Sequence, residues 1–348
     1  MDDREQSEIE ARLRGQIEGY HESALLFTAV TSGLPDLLSQ GPLPVETLAE
    51  ELGLEPTPLN RFLRGLVTMR LCEEGEDGRF GLTAVGKSLR HGGKSSLREK
   101  AFVVVGQYWL PWMSLMYCLK TGKPSFPFAF KKTVEDWRGR NAEEGKFFFR
   151  YLAKEEEANS GPFVEAIKAQ GALEAGVVLT SLGGGYGAWL LSALRTDASL
   201  RAVVFDAQAI LDEAVGLFED AGLSDRVALA AGDILEAIPV KADVYVLKGV
   251  LQSHDDAGTK AILENCREAM MPGAKLLIAE RLLPEETYRG HEPGDAAAIM
   301  LDLHMMVVTG GKARTKTEME ALITTAGLAV TDVFHSADGL TLIEARLP

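Results

Sequence analysis

Val177-Val178-Leu179-Thr180-Ser181-Leu182-Gly183-Gly184-Gly185-Tyr186-Gly187 decides the fold. The stretch Val177–Leu182 is an apolar run of strand length, and a helical pattern resumes after the glycines. Glycines between a strand and a helix let the backbone turn sharply and approach a ligand closely. The same rhythm repeats downstream. Short strands are expected at Ala202–Phe205, Val227–Ala230, Val244–Leu247 and Lys275–Ala279, with a last strand pair around Val330 and Leu342. Helices are expected at Leu211–Ala221, near Thr259–Met270 and near Lys316–Ala326. Strands alternating with helices predict an α/β domain with a mostly parallel sheet covered on both faces.

A glycine turn alone is compatible with a dinucleotide, with S-adenosylmethionine, or with no ligand. The spacing beyond it says more. The second strand ends in Val204-Phe205-Asp206, and an acidic residue about 20 positions after such glycines can accept hydrogen bonds from ribose hydroxyls. Ala231-Gly232-Asp233-Ile234-Leu235 follows the third strand, where a carboxylate could accept from an adenine amino group. Together these features favour an adenosine ligand and leave a dinucleotide open.

Upstream the pattern is different. Leu26, Phe27, Val30, Leu34, Leu37 and Leu38 recur at helical spacing within Ser23–Leu38. Pro44–Gly53 and Pro58–Leu71 read as two more helices. Leu71–Thr83 reads as a hairpin turning on Glu76-Asp77-Gly78. Helices followed by such a hairpin suggest a winged helix, a fold that suits either DNA binding or dimerisation. The 348 residues carry 36 Lys and Arg against 51 Asp and Glu, a net charge of −15. The third helix offers only Arg61, Arg64 and Arg70 as a basic face. That charge balance argues against nucleic acid and anionic membrane and favours a platform for a homodimer.

Residues 95–170 read as helical and aromatic-rich, a linker and pocket roof. The expected organisation is therefore a dimerisation domain at 1–95, the roof at 96–170 and a cofactor-binding catalytic domain at 171–348. The uncharged run Ala101–Leu119 contains Gly106, Gln107, Pro111 and Ser114 and reads as a buried helix pair broken near Pro111, not a membrane span. Cys72, Cys118 and Cys266 are scattered and odd in number, so no disulfide framework is expected. The charged first residues do not read as a secretory signal, and the cytoplasm is the expected compartment.

With these residues in hand, the chain resembles the class I S-adenosylmethionine-dependent O-methyltransferases of the plant and bacterial small-molecule type. Leu26-Phe27-Thr28-Ala29-Val30 with Gly33–Leu38, the wing Asp77–Thr83 and the glycine turn carry the resemblance, which covers nearly the whole chain. It implies a Rossmann-like methyltransferase sheet with an N-terminal winged-helix dimerisation domain. It also implies that Gly183, Gly185 and Gly187 hold the methionine part of the cofactor, Asp206 its ribose and Asp233 its adenine, with Lys248 nearby. Ser181 stands where the family usually has an acidic residue, which weakens the expected contact to the cofactor's amino group.

The family's methyl transfer usually relies on a histidine in a Leu-His-Asp-Trp-Asp-Asp pattern. Here the residues are Leu251-Gln252-Ser253-His254-Asp255-Asp256, so the histidine position holds Gln252. Glutamine cannot accept a proton at neutral pH. Ala313 stands before Arg314 where plant members often have glutamate. Arg314 could pair with a substrate carboxylate, and Glu280, at the end of the fifth strand, could orient a partner. His254, Asp255 and His304 supply two histidines and a carboxylate, a set suited to a divalent metal with open positions. The pattern looks like that of the 2-oxo-acid C-methyltransferases, which also lack the catalytic histidine. There the metal would polarise the keto oxygen and stabilise an enolate, and no base would be needed at position 252. The leading expectation is metal-assisted C-methylation of a 2-oxo acid. The alternatives are O-methylation of a hydroxylated small molecule and a hydroxylase or pericyclase that retains the cofactor. A winged-helix regulator is the least supported. His21, His91, His291 and His335 are expected to be surface or core residues.

Overall fold

The structure is a computed structural model that describes residues 3–93, 95, 97–285 and 293–348. His291 lies outside the described residues. The chain divides into two compact units, Met1–Trp109 and Leu110–Pro348, and the division falls inside the helical segment expected at 96–170.

In the first unit, the periodicity over Ser23–Leu38 forms two helices, Tyr20–Thr31 and Leu34–Leu38. Gly33, at φ +76, breaks them where the apolar spacing runs on unbroken. Helices Val45–Leu52 and Pro56–Thr68 follow, the first ended by Gly53 in the left-handed conformation. Strands β1 (Cys72–Glu74) and β2 (Phe80–Leu82) pair antiparallel as the wing, with Gly78 at φ +73 in the turn. Leu34, Leu38, Leu48, Leu59, Leu63, Leu66 and Phe80 meet in one core. Helix Asp3–Glu18 contributes nothing to that core, and Leu13 and Ile17 on it are exposed.

The helix pair expected over Ala101–Leu119 is present, bent by 47°, but the place of its break and its full burial are corrected. A helical run, π-helical over Phe102–Tyr108, continues through Pro111 to Met113, and the next helix starts at Leu115. The break is at Ser114, and Leu110, Met113, Met116 and Leu119 are exposed. Among the described residues no single helix is long and apolar enough to cross a membrane. The three cysteines are free and buried.

The second unit holds a seven-stranded sheet. Its strands are β3 (Val178–Leu182), β4 (Arg201–Asp206), β5 (Val227–Ala231), β6 (Val244–Lys248), β7 (Lys275–Glu280), β8 (Ala329–His335) and β9 (Thr341–Arg346). The spatial order is β5-β4-β3-β6-β7-β9-β8. The first five run parallel, and β9 pairs antiparallel with both β7 and β8. Alternate residues feed two cores. Tyr245, Leu247, Leu276 and Ile278 enter one, while Val244, Val246, Leu277 and Ala279 enter the other. Burial on both faces is why these strands read as unbroken apolar runs. Tyr245 satisfies its buried hydroxyl against Val240 O, Ala269 O and the amide of Ala242. The order reverses between β3 and β6, so a crevice opens at the carboxyl ends of these strands, where open α/β sheets bind ligands.

Candidate active site

The glycine turn leaves β3 into that crevice. The amide of Gly183 donates to Phe205 O at 2.9 Å, and that of Gly185 donates to Asp206 Oδ2 at 2.9 Å. Gly183 and Gly185 have φ of +61 and +74. A Cβ on Gly183 would press on Ile234 and Val250, and one on Gly185 would meet the Phe149 ring at 3.3 Å. Both conformation and space require glycine. Asp206 Oδ1 accepts from the amide of Ala207 at 2.8 Å. Burial nevertheless pushes the Asp206 carboxyl up to about 6, the nearby Asp233 adding to the shift. A half-buried carboxylate this poorly solvated gains from hydroxyl donors, and a ribose diol supplies two. Asp233 is exposed, and its carboxylate closes a turn onto the amide of Leu235. These residues fit an adenosine cofactor: a turn that requires glycine at 183 and 185, beside a strand-end carboxylate that accepts one backbone amide on each oxygen and has lone pairs left for ribose hydroxyls.

Ser181 turns inward, and its hydroxyl accepts from the Trp189 indole at 3.1 Å. Lys248 ends β6 and forms a 2.8 Å ion pair with Glu156 of helix Ala142–Asn159. Phe149 and Trp112 belong to the aromatic segment expected to roof a pocket, whereas Glu156 and Trp189 were not singled out from sequence. The signal that could have found Glu156 is its common helix face with Phe149, seven residues before it.

The turn Leu251–Ser253 follows β6 and is held from two sides. Glu280, buried at the end of β7, accepts from the Leu251 amide at 2.8 Å. Burial pushes its carboxyl up to about 7 against the lowering effect of the neighbouring backbone amides and Arg314. Its second oxygen is buried with no hydrogen-bond partner. From the other side Arg314, 1% exposed, donates to Leu251 O, His254 O and Lys312 O at 3.0, 2.9 and 3.2 Å and pairs with Asp256. Arg314 was expected to face a substrate carboxylate. Instead its guanidinium fastens the turn. Gly311 lies directly on this turn, and a Cβ there would collide with Gln252 O and the Ser253 carbonyl carbon. Gln252 thus sits on a fixed backbone, half-buried, with no hydrogen bond to its side chain from the described residues.

The metal set His254, Asp255 and His304 is corrected. No three histidine, cysteine or carboxylate side chains among the described residues are grouped to hold a metal ion. Asp255 is exposed and caps helix Asp256–Ala269, its Oδ1 accepting from Gly258 N at 2.8 Å. His304 lies on helix Pro293–Val308, which meets the turn where Ser253 Oγ approaches Met305 Sδ at 3.7 Å. Its Nδ1 accepts from the Trp112 indole at 3.1 Å, and the two rings stack at 6.1 Å between centroids. Burial, with the Arg138 charge, brings its pKa down to about 4. The ring is therefore neutral, and with Nδ1 accepting, Nε2 carries the hydrogen. Burial also lowers the pKa of His254.

A switch-point crevice with a glycine turn and a strand-end acidic residue defines a Rossmann-like enzyme of adenosine-containing cofactors. Residues 112–329 match the O-methyltransferase domain, and residues 15–91 match the O-methyltransferase dimerisation domain. The chain belongs to this family of S-adenosylmethionine-dependent methyltransferases. It is similar to phenazine O-methyltransferase PhzM of Lysobacter antibioticus, 33% identical over 95% of this chain and 94% of that one. Among solved structures it is similar to the N,N-8-amino-8-demethyl-D-riboflavin dimethyltransferase of Streptomyces davawensis, with a TM-score of 0.81 and 26% identity over 97% and 99% of the two chains. It is also similar to an O-methyltransferase from neocarzinostatin biosynthesis in complex with S-adenosylmethionine and 2-hydroxy-5-methyl naphthoic acid. The TM-score there is 0.75, with 26% identity over 94% and 96% of the chains.

Proposed function

We propose that this chain is a homodimeric S-adenosylmethionine-dependent enzyme of small-molecule biosynthesis that methylates a hydroxyl or nitrogen of an aromatic acceptor without a general-base histidine. The observation that carries the reading is Gln252, half-buried on a turn held by Glu280 and Arg314, where the family's base would stand. The acceptor meets an amide at position 252. His304, its Nδ1 engaged by the Trp112 indole and its pKa brought down by burial, is a poor base. Such a site suits an acceptor that needs no strong base, either an acidic phenol that ionises near neutral pH or an aromatic amine. Relatives acting on phenazine, naphthoate and amino-flavin compounds support that acceptor class.

The cofactor supplies a methyl group made electrophilic by its sulfonium. Gly183, Gly185 and Asp206 would hold its methionine and ribose parts. Gln252 would orient the acceptor's lone pair through its amide, which both donates and accepts. The C-methylation of a 2-oxo acid loses its support once Asp255 and His304 are engaged elsewhere. The homodimer is supported by the dimerisation-domain match and by the exposed Leu13 and Ile17. The test is methyl transfer from labelled cofactor to phenols of graded acidity and to aromatic amines. The rate-against-pH midpoint should track the acceptor's own pKa. A midpoint fixed across acceptors would assign the proton to an enzyme group and overturn the base-free reading.

A further inference from the structure

Helix Ala142–Asn159 crosses the glycine turn. Phe149 lies where a Gly185 side chain would be, and its ring stacks on Tyr186 at 5.9 Å. Ala153 packs in the same cluster. The next residue on that face is Glu156, because spacings of four and three keep one helical side. Its carboxylate meets Lys248 at 2.8 Å, and the two side chains are only 16% and 19% exposed. β3 and β6 run parallel with Ser181 opposite Val246, so Lys248, two residues on, lies level with Gly183. The ion pair therefore stands at the mouth of the glycine turn, away from Asp206 and the ribose end.

The amino-acid end of S-adenosylmethionine is a zwitterion, with one ammonium and one carboxylate. The glycine turn offers amides but no negative group, and Ser181, at the end of β3, is uncharged and bonded to Trp189. We propose that Glu156 and Lys248 form the subsite for this end, Glu156 taking the α-ammonium in place of a carboxylate at position 181 and Lys248 taking the carboxylate. The assignment rests on the cofactor reading above. A zwitterion entering a neutral pair leaves the net charge unchanged, and each charged group exchanges one partner for another of the same sign. A lysine alone would leave the ammonium unmatched in a poorly solvated cleft.

Calorimetry distinguishes this from a structural bridge. The ligands are S-adenosylhomocysteine, its deaminated analogue, and methylthioadenosine, which keeps ribose and adenine but has no amino-acid end. Glu156→Gln should weaken S-adenosylhomocysteine by about tenfold to a hundredfold, the worth of a charge-assisted hydrogen bond. It should leave methylthioadenosine within about twofold of the parent protein, which also reports that the variant is folded, and should not weaken the deaminated analogue, whose carboxylate meets a Lys248 freed from Glu156. Equal weakening of all three ligands, or unchanged S-adenosylhomocysteine binding, overturns the assignment. Failure of the parent protein to bind either S-adenosylhomocysteine or methylthioadenosine overturns the cofactor reading itself, a result distinct from both.

Discussion

Replacing Arg314 by methionine tests whether it fastens the turn or binds the acceptor. The guanidinium donates to three backbone carbonyls, of which Leu251 O is buried. At about 1 kcal/mol net for each such bond, their loss costs about 3 kcal/mol. The Asp256 partner is 53% exposed, so that ion pair adds less than about 1 kcal/mol after solvent screening. Methionine fills most of the volume, so no large cavity term is added. The expected destabilisation of Arg314→Met is about 3–4 kcal/mol, a drop of roughly 10 °C in Tm for a unit of this size. Arg314→Lys should recover little of it, because one ammonium cannot span carbonyls fixed for a planar fork. Denaturant unfolding and thermal melting read the stability. Activity on a carboxylated aromatic acceptor and on its methyl ester reads the alternative. Parental stability in Arg314→Met, with KM raised for the acid and unchanged for the ester, would refute the turn-fastening role.

Asp206 titrates near 6 in the free protein. Ribose hydroxyls stabilise its ionised form, so cofactor affinity should be flat above pH 6 and fall by up to about tenfold per pH unit below it, as calorimetry between pH 5 and 8 would show. Glu280 has a folded pKa near 7, above its ordinary value, so its ionisation disfavours the folded state. Stability should decline as pH rises from about 4.5 through 7, on the order of 3 kcal/mol at most, and Glu280→Gln should flatten that slope in denaturant titrations. Gly185→Ala carries a strained positive φ and a contact with Phe149, and should cost about 1–2 kcal/mol of stability and weaken S-adenosylhomocysteine binding. Gln252→His places a base on a turn already fixed in position, and should raise the rate on weakly acidic phenols at pH 7 by about tenfold or more. Excess chelator should leave methyl transfer by the parent enzyme unchanged.

The sheet was legible because burial on both faces writes itself into consecutive residues. Val244–Leu247 was expected and Val244–Lys248 is observed. The break at Gly33 was hidden by an apolar period that continues through it. At the site, the spacing between the ends of adjacent strands was readable, as with Gly183 after β3 and Asp206 at the end of β4, but contacts across long separations were not. Trp112 reaches His304 across 192 positions. Arg314 was visible as a cation, but its acceptors are backbone carbonyls, which no side-chain pattern records. Glu156 stands within Glu155-Glu156-Glu157, which reads as a solvated helix face until Lys248 is placed against its middle member.

The metal expectation failed for a physical reason that also explains the site. Metal ligands must present lone pairs to one point, and both Asp255 and His304 have theirs directed elsewhere. Asp255 caps the helix that follows the turn, and a cap cannot turn away without freeing an amide. His304 is held by an indole donor that fixes its tautomer. The Asp255 cap positions a backbone segment, as do the bonds of Glu280 and Arg314, while the Trp112 bond positions the His304 ring. The polar groups around the turn therefore act mainly on its geometry. The Gln252 side chain takes no hydrogen bond from the described residues, and in the proposed reading it is the group that orients the acceptor.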